Sequence, residues 1–199
     1  IDTHIDVPYR IYHKWDDVSK ATEGGDFDYP RGVKGGLNVP FMSIYIPASI
    51  EAEGGDSTAV ANELIDGVEK MVAQSPDKFA LAFSPAQVKA NFKKGVISLP
   101  MGMENGSPIA GSMDNLKHFY DRGIRYITLS HSLSNHISDS SYDEKRPAQG
   151  LTDFGNMTYL FSPSLYTASP MKAERFGSYS TDLIVAGISF LSYLKSTIL

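Results

Sequence analysis

Ile1-Asp2-Thr3-His4-Ile5-Asp6 is the stretch from which the fold can be read, because it predicts the first strand of the chain. His4 and Asp6 stand two residues apart in this apolar-flanked run. Side chains two apart on a strand point to the same face. An imidazole beside a carboxylate is half of a metal site. The pair alone decides nothing, because a polar strand end that faces water would have the same sequence.

The chain beyond this stretch alternates between predicted strands and helices. Residues 7–36 are mostly loop, with a short helix expected around Trp15. Further strands are predicted over residues 37–46, 78–83, 96–103 and 124–129. Helices are predicted from Ser57 or Thr58 onward, over residues 84–94 and over residues 112–122. Such alternation predicts an α/β fold with a parallel sheet and helical crossovers, closed as a barrel or open. No Gly-x-Gly-x-x-Gly follows a strand, which disfavours a dinucleotide-binding sheet.

Composition narrows the class of protein. The 199 residues suggest one domain with a substantial core, and the net charge of −5 comes without a basic stripe, so no nucleic-acid partner is expected. Cysteine is absent, which excludes disulfides, thiolate metal sites and a cysteine nucleophile. The most apolar run, residues 183–199, is interrupted by serines and a lysine and is shorter than the roughly 20 residues of a membrane span. It predicts a buried strand or helix, with a membrane anchor as the less favoured alternative.

The residues that follow the predicted strands point to chemistry. In parallel α/β folds, functional groups gather at the carboxyl ends of the strands. His4 and Asp6 end the first strand, Glu104 ends the strand at 96–103, and His131 ends the strand at 124–129. Each has an alternative reading as a polar group that faces water. Three strand ends with ligand-type residues favour a metal-dependent site over three independent surface positions.

Five ordered blocks carry a resemblance to the membrane (renal-type) dipeptidase family, whose members are zinc-dependent (β/α) barrels of the amidohydrolase kind. The resemblance covers residues 1 to about 155, and five blocks are far more specific than the His-x-Asp pair. The blocks are Asp2-Thr-His-Ile-Asp-Val-Pro8, Gly35-Gly-Leu-Asn-Val-Pro-Phe-Met-Ser-Ile-Tyr45, Gly102-Met-Glu-Asn-Gly106, Arg122-Gly-Ile-Arg-Tyr-Ile-Thr-Leu-Ser-His131 and Gly150-Leu-Thr-Asp-Phe-Gly155.

The resemblance implies roles for four residues. His4 and Asp6 correspond to ligands of one zinc, and Glu104 to the catalytic carboxylate that bridges two zincs. His131 corresponds to the histidine that contacts the substrate and stabilises the tetrahedral intermediate. The implied reaction is attack of a zinc-activated hydroxide on the peptide bond of a dipeptide. Families of this kind are commonly exported, so a periplasmic or extracellular location is suggested by the resemblance alone, and a homodimer is an expectation that rests on no particular residue.

The sequence departs from the family pattern after residue 155. The family supplies two further zinc-binding histidines from later strands, whereas this sequence has no histidine after His136. Of the two zincs expected, at most one would be well ligated. A whole barrel takes about 250 residues, so the expected architecture is a partial or truncated TIM-like (β/α) barrel: residues 1–155 form its N-terminal part and residues 156–199 a divergent tail.

Three hypotheses for function follow. The first is a zinc-dependent metallodipeptidase represented by its N-terminal half. The second is a truncated, catalytically impaired remnant that acts as a binding or assembly module or is inactive. The third is another hydrolase of the amidohydrolase kind. Ser43 and Tyr45, near the end of the second strand, are expected to pack in the core or rim, with pocket lining as the alternative.

Overall fold

The structure, a computed structural model, describes residues 1–160 of the chain. Its elements alternate as the sequence predicts. The strands are β1 (Asp2–Ile5), β2 (Pro40–Tyr45), β3 (Phe79–Leu81), β4 (Ile97–Leu99), β5 (Met101–Glu104) and β6 (Ile124–Ile127). The helices are α1 (Val7–His13), α2 (Tyr29–Lys34), α3 (Ala48–Ala52), α4 (Ser57–Gln74), α5 (Pro85–Lys94), α6 (Met113–Asp121) and α7 (Asp153–Leu160), with a 3-10 turn at Ser107–Ile109.

Every pairing between the described strands is parallel. Four strands form one sheet in the order β1-β2-β5-β6, and β3 pairs with β4 in a second sheet. The register places Tyr45 opposite Glu104, so β2 and β5 end at the same level. Parallel strands joined by helices bring their carboxyl ends to one edge. The predicted α/β class with parallel strands is therefore confirmed.

Two prolines set the limits of the central strands. Pro40 begins β2 where the prediction began at residue 37, and a proline without an N–H is tolerated at the first position of a strand. Pro100 divides the predicted strand at 96–103 into β4 and β5, but its carbonyl still accepts a 2.8 Å hydrogen bond from Met42 N. The division lets β4 pair with β3 and β5 continue between β2 and β6.

The helix starts follow capping chemistry, with one change from the sequence prediction. Ser84 and Ser112 accept hydrogen bonds from the backbone N–H three residues on, as serine caps do. The cap of α4 is Asp56, whose carboxylate accepts from Ala59 N at 2.9 Å, and not Ser57 or Thr58. The carboxylate is the stronger acceptor for an N–H at the positive end of a helix.

The segment at residues 7–36 is more helical than predicted. It contains α1 and α2, whereas Trp15 lies between them outside any helix. Pro8 lies within the first two residues of α1, and Asp28 caps α2 by accepting from Arg31 N at 2.8 Å. A proline at a helix start and a capping aspartate were the available signals, and the many glycines and charges of the segment obscured them.

The core lies between α4 and the four-stranded sheet. Leu64, Ile65 and Val68 recur at helical spacing on one face of α4 and are fully buried with Met42 and Ile44 of β2. Burying side chains of this size stabilises a fold by roughly 1.5–3 kcal/mol each. This packing of α4 against the sheet holds the strands in place, and polar groups lie at the carboxyl ends of the strands.

The predicted tail lies almost entirely outside the described residues. Within it, α7 ends at Leu160, and the apolar run at residues 183–199 is beyond that point. Among the helices that the structure describes, none has the length and apolar character needed to cross a bilayer.

Candidate metal centre

Three of the predicted site residues meet at the carboxyl edge of the sheet. His4 Nε2 lies 3.4 Å from Asp6 Oδ1 and 3.1 Å from Glu104 Oε2. One ligand atom from each of the three residues lies within 4.8 Å of the other two. The order of the strands brings these three donors together.

The strands explain how residues so distant in sequence meet. His4 belongs to β1, Asp6 directly follows β1 as the first cap of α1, and Glu104 is the last residue of β5. The Asp6 side chain makes no capping hydrogen bond to α1 and is 63% exposed, so it is free to act as a ligand. Strand β2, which lies between β1 and β5, supplies Ser43, whose hydroxyl donates to Glu104 Oε2 at 3.2 Å.

His131 lies next to this group on the other side of Glu104. Its Nε2 is 3.4 Å from Glu104 Oε1, so the two carboxylate oxygens face different histidines. The sequence placed His131 at the end of a strand reaching residue 129, but β6 ends at Ile127 and His131 lies in the loop that follows. Ser140 holds this loop by donating to the His131 carbonyl, and the Tyr45 ring contacts the imidazole edge to face at 5.1 Å.

The charges of the centre reinforce one another. The hydrogen bond to Glu104 raises the pKa of His4 above its ordinary value, against the opposing effect of burial. Burial alone would raise the pKa of Glu104, but the hydrogen bond and charge of His4, with His131 and Ser43, outweigh it and lower the pKa. Glu104 is therefore held as a carboxylate, the form that binds a cation.

The donor set fits a divalent metal ion. Imidazole nitrogen and carboxylate oxygen are common ligands of zinc, and a zinc with three protein ligands keeps a position open for water or substrate. His4 and Glu104 are partly buried at 37% and 21% side-chain exposure, which leaves the centre accessible from one side. The arrangement can therefore hold one cation with His4, Asp6 and Glu104 while His131 remains beside it.

Three contributors were not identified as site residues from the sequence. Ser43 and Tyr45, expected mainly in the core or rim, both contact site residues, and Ser43 is fully buried as a core residue is. Tyr126, which had no role in the prediction, accepts or donates a 3.0 Å hydrogen bond at His4 Nδ1. Tyr126 and its neighbour in the fold, Gly102, both lie in blocks of the resemblance, which was the available signal.

His136 does not join the centre. Its Nδ1 pairs with Glu51 Oε1 at 3.1 Å, and its ring packs against Phe154. Asn105, directly after Glu104, has a positive φ of 78° and donates through Nδ2 to Ile46 O, as an asparagine in a turn can. These residues shape the loops around the centre.

Comparisons with known proteins give matches over most of the chain. A model of the membrane dipeptidase family, peptidase family M19, matches residues 1–158. An uncharacterized dipeptidase of Schizosaccharomyces pombe is 32% identical over 169 residues, which cover 78% of this chain and 41% of that protein.

Two solved structures share the fold. The probable dipeptidase PvdM from Pseudomonas aeruginosa has a TM-score of 0.69 at 20% identity and covers 80% of this chain and 42% of that one. A metallopeptidase from Rhodobacter sphaeroides, liganded with a phosphinate mimic of the dipeptide L-Ala-D-Ala, has a TM-score of 0.68 at 20% identity and covers 80% and 54%.

The chain spans about two fifths of the length of the curated relatives that it matches. The family match nevertheless takes in most of the chain and contains all four residues of the predicted site. This chain therefore belongs to the membrane dipeptidase family, peptidase family M19.

Proposed function

We propose that this chain carries the first metal site of a zinc-dependent dipeptidase. The observation that carries the proposal is the meeting of His4, Asp6 and Glu104 at the strand ends of an M19 family member. In this proposal the three residues hold the cation. When bound, zinc supplies Lewis acidity that polarises a peptide carbonyl and makes a water more acidic.

The protein's own groups then have distinct roles. Ser43 orients the Glu104 carboxylate by donating to Oε2. His131, on the opposite side of Glu104, offers an imidazole N–H to the oxygen of the substrate carbonyl as negative charge develops there. The net reaction adds water across one peptide bond and releases two amino acids. Glu104 is the carboxylate placed to serve as a bridge if a second cation binds.

A dipeptide is the proposed substrate class. The Rhodobacter sphaeroides relative holds a mimic of L-Ala-D-Ala, and that likeness supports testing small dipeptides first. The four-stranded parallel sheet, with β1 and β6 as its outer strands within residues 1–160, supports the proposal that residues 1–155 are the N-terminal part of a (β/α) barrel. Residues 156–199 are proposed as a divergent tail.

A second candidate function has one specific observation in its favour. The 199 residues given contain no histidine after His136, so this stretch by itself offers a second metal none of the later imidazole ligands of the family pattern. A remnant of this kind would hold one metal and act as a binding or assembly module without turnover.

Zinc content and hydrolysis separate the two candidates. The purified full chain is analysed for zinc per chain and assayed with L-Ala-D-Ala and L-Ala-Gly. Bound zinc with turnover supports the dipeptidase, bound zinc without turnover supports the remnant, and a chain without zinc contradicts the metal site.

The variant Glu104→Gln tests the carboxylate. It keeps the side-chain shape and removes the charge, so we expect at least a hundredfold loss of any hydrolysis together with weaker zinc binding. Glu23→Gln is the matched control because Glu23 is exposed in a loop. Full hydrolysis by Glu104→Gln would refute the role of this carboxylate.

A further inference from the structure

Tyr126 crosses one face of the sheet from one outer strand to the other. It belongs to β6, is only 6% exposed, and reaches residues of β1, although β2 and β5 lie between these strands. Its ring packs near Phe41 of β2 at 5.6 Å. The side chain therefore joins the two outer strands of the four-stranded sheet, and it does so next to His4 of the candidate metal centre.

The space for this ring depends on a glycine. A Cβ placed on Gly102 of β5 would lie 2.0 Å from the Tyr126 Cζ atom and 2.2 Å from Cε1. Carbon atoms without a bond cannot approach so closely. Any other residue at position 102 would force the ring of Tyr126 away from β1, so the glycine and the tyrosine form a matched pair.

The hydroxyl of Tyr126 has two partners on β1. It donates to the Thr3 carbonyl oxygen at 3.2 Å and lies 3.0 Å from His4 Nδ1. A phenol has one proton to donate. Because that proton is directed to the Thr3 carbonyl, the hydroxyl oxygen is left to accept from an N–H on Nδ1 of His4.

The other nitrogen of His4 is then the one available to a metal. With the proton on Nδ1, the lone pair of the neutral ring is on Nε2. Nε2 is also the atom that faces Asp6 at 3.4 Å and Glu104 at 3.1 Å. The hydrogen bond and the geometry of the carboxylates thus select the same nitrogen.

We infer that Tyr126 is a positioning residue that holds the His4 imidazole with Nε2 directed to the metal. This inference rests on the proposed function, because it requires His4 to be a ligand. Metal-binding histidines are generally held by a partner on their second nitrogen, and loss of that partner weakens metal binding. Here the partner is a phenol carried by β6, and its backbone anchor is a carbonyl one residue from the ligand itself.

The variant Tyr126→Phe tests the inference, since it keeps the ring over Gly102 and removes only the hydroxyl. We expect the zinc affinity of the full chain, measured by competition with a chromophoric chelator, to fall about tenfold to a hundredfold. Cobalt substituted for zinc should give an altered visible spectrum, which reports the ligand geometry. Tyr29→Phe is the matched control, because Tyr29 lies in α2 and packs on Phe79 of β3, away from the centre.

The control variant separates a specific effect on the metal site from a general loss of stability, because a general loss would lower the zinc affinity of both variants. If Tyr126→Phe binds zinc with the native affinity and gives the native cobalt spectrum, the inference is overturned. It is also overturned if Tyr29→Phe loses as much affinity. A native chain that binds no zinc would already refute the proposed metal site before any variant is compared, so the two failures are distinguishable.

A second measurement needs no variant. Nitrogen-15 NMR of the zinc-loaded native chain distinguishes a protonated imidazole nitrogen from a metal-bound one. We expect the His4 ring to show a proton on Nδ1 and the metal on Nε2. A metal on Nδ1 would overturn the inference even if Tyr126→Phe failed to fold.

Discussion

At the scale of single residues, the candidate centre contains its proposed ligands and also the side chains that hydrogen-bond to them. Glu104 accepts from Ser43 and faces His4 through Oε2, and it faces His131 through Oε1. Ser43 is fully buried, so its hydroxyl has no water to replace this partner. Groups that fix the orientation of a metal-binding carboxylate influence metal affinity strongly.

Ser43→Ala should therefore weaken metal binding without unfolding the protein. We expect zinc affinity to fall about tenfold, because the Glu104 carboxylate loses a hydrogen bond that fixes its orientation. Isothermal titration with zinc measures the change. Ser98→Ala is the control, since Ser98 is a buried serine on β4 whose hydroxyl pairs with Asn91. An equal loss in both variants would argue against an orienting role for Ser43.

At the scale of secondary structure, α2 shows how a charged cap ties a loop to a helix. Asp28 is 1% exposed and accepts hydrogen bonds from Arg31 N at 2.8 Å, Arg31 Nε at 2.8 Å and Thr22 N at 3.0 Å. Burial raises the pKa of Asp28, but these hydrogen bonds outweigh it and bring the pKa below its ordinary value of 3.8.

The sign of the pH effect follows from that shift. A carboxyl group whose pKa is lower in the folded state contributes stability that is present above its unfolded pKa and lost as the pH falls through its folded pKa. We expect Asp28→Asn to lower the free energy of unfolding by about 1.5–3 kcal/mol at neutral pH. The gap between native and variant should narrow below pH 3.8.

Urea unfolding at a series of pH values measures this gap, with Asp26→Asn as the control because Asp26 is exposed in the same loop. A gap that stays constant down to about pH 2.5 would mean that the Asp28 charge does not stabilise the fold.

At the scale of the whole molecule, the centre connects parts of the chain that are far apart in sequence. Its proposed ligands come from residues 4, 6 and 104, and Tyr126 adds a contact from β6 back to β1. A ligand that binds only the folded state stabilises it by mass action. Metal binding should therefore be coupled to the stability of the sheet.

Thermal unfolding with and without zinc tests this coupling. At a free zinc concentration of about one hundred times the dissociation constant, we expect a gain of about 2.7 kcal/mol in the free energy of unfolding. For a chain of this size the melting temperature should rise by roughly 2–4 °C per kcal/mol. Circular dichroism measures the shift. Glu104→Gln should lose most of it, and an equal zinc effect in that variant would locate the bound metal elsewhere.

Much of the architecture was accessible from local sequence patterns. Alternating strands and helices gave the parallel α/β class, and the serines at positions 84 and 112 marked helix starts that the structure confirms. The two short helices within residues 7–36 were missed, since glycines and charges there obscured a capping aspartate and a proline at a helix start. Helix capping and side-chain periodicity depend on residues a few positions apart, and this is why they can be predicted from the sequence.

The residue types of the candidate site could also be predicted from the sequence, because His4, Asp6, Glu104 and His131 follow predicted strands in matched family blocks. The sequence could not show which other side chains contact these residues. Ser43 on Glu104, Tyr126 on His4 and the space above Gly102 depend on strand order and register, which bring residues up to 123 positions apart into contact. Sequence determined which chemical groups are available, and only the tertiary structure decided which of them touch, because contact between distant residues is fixed by packing and not by local pattern.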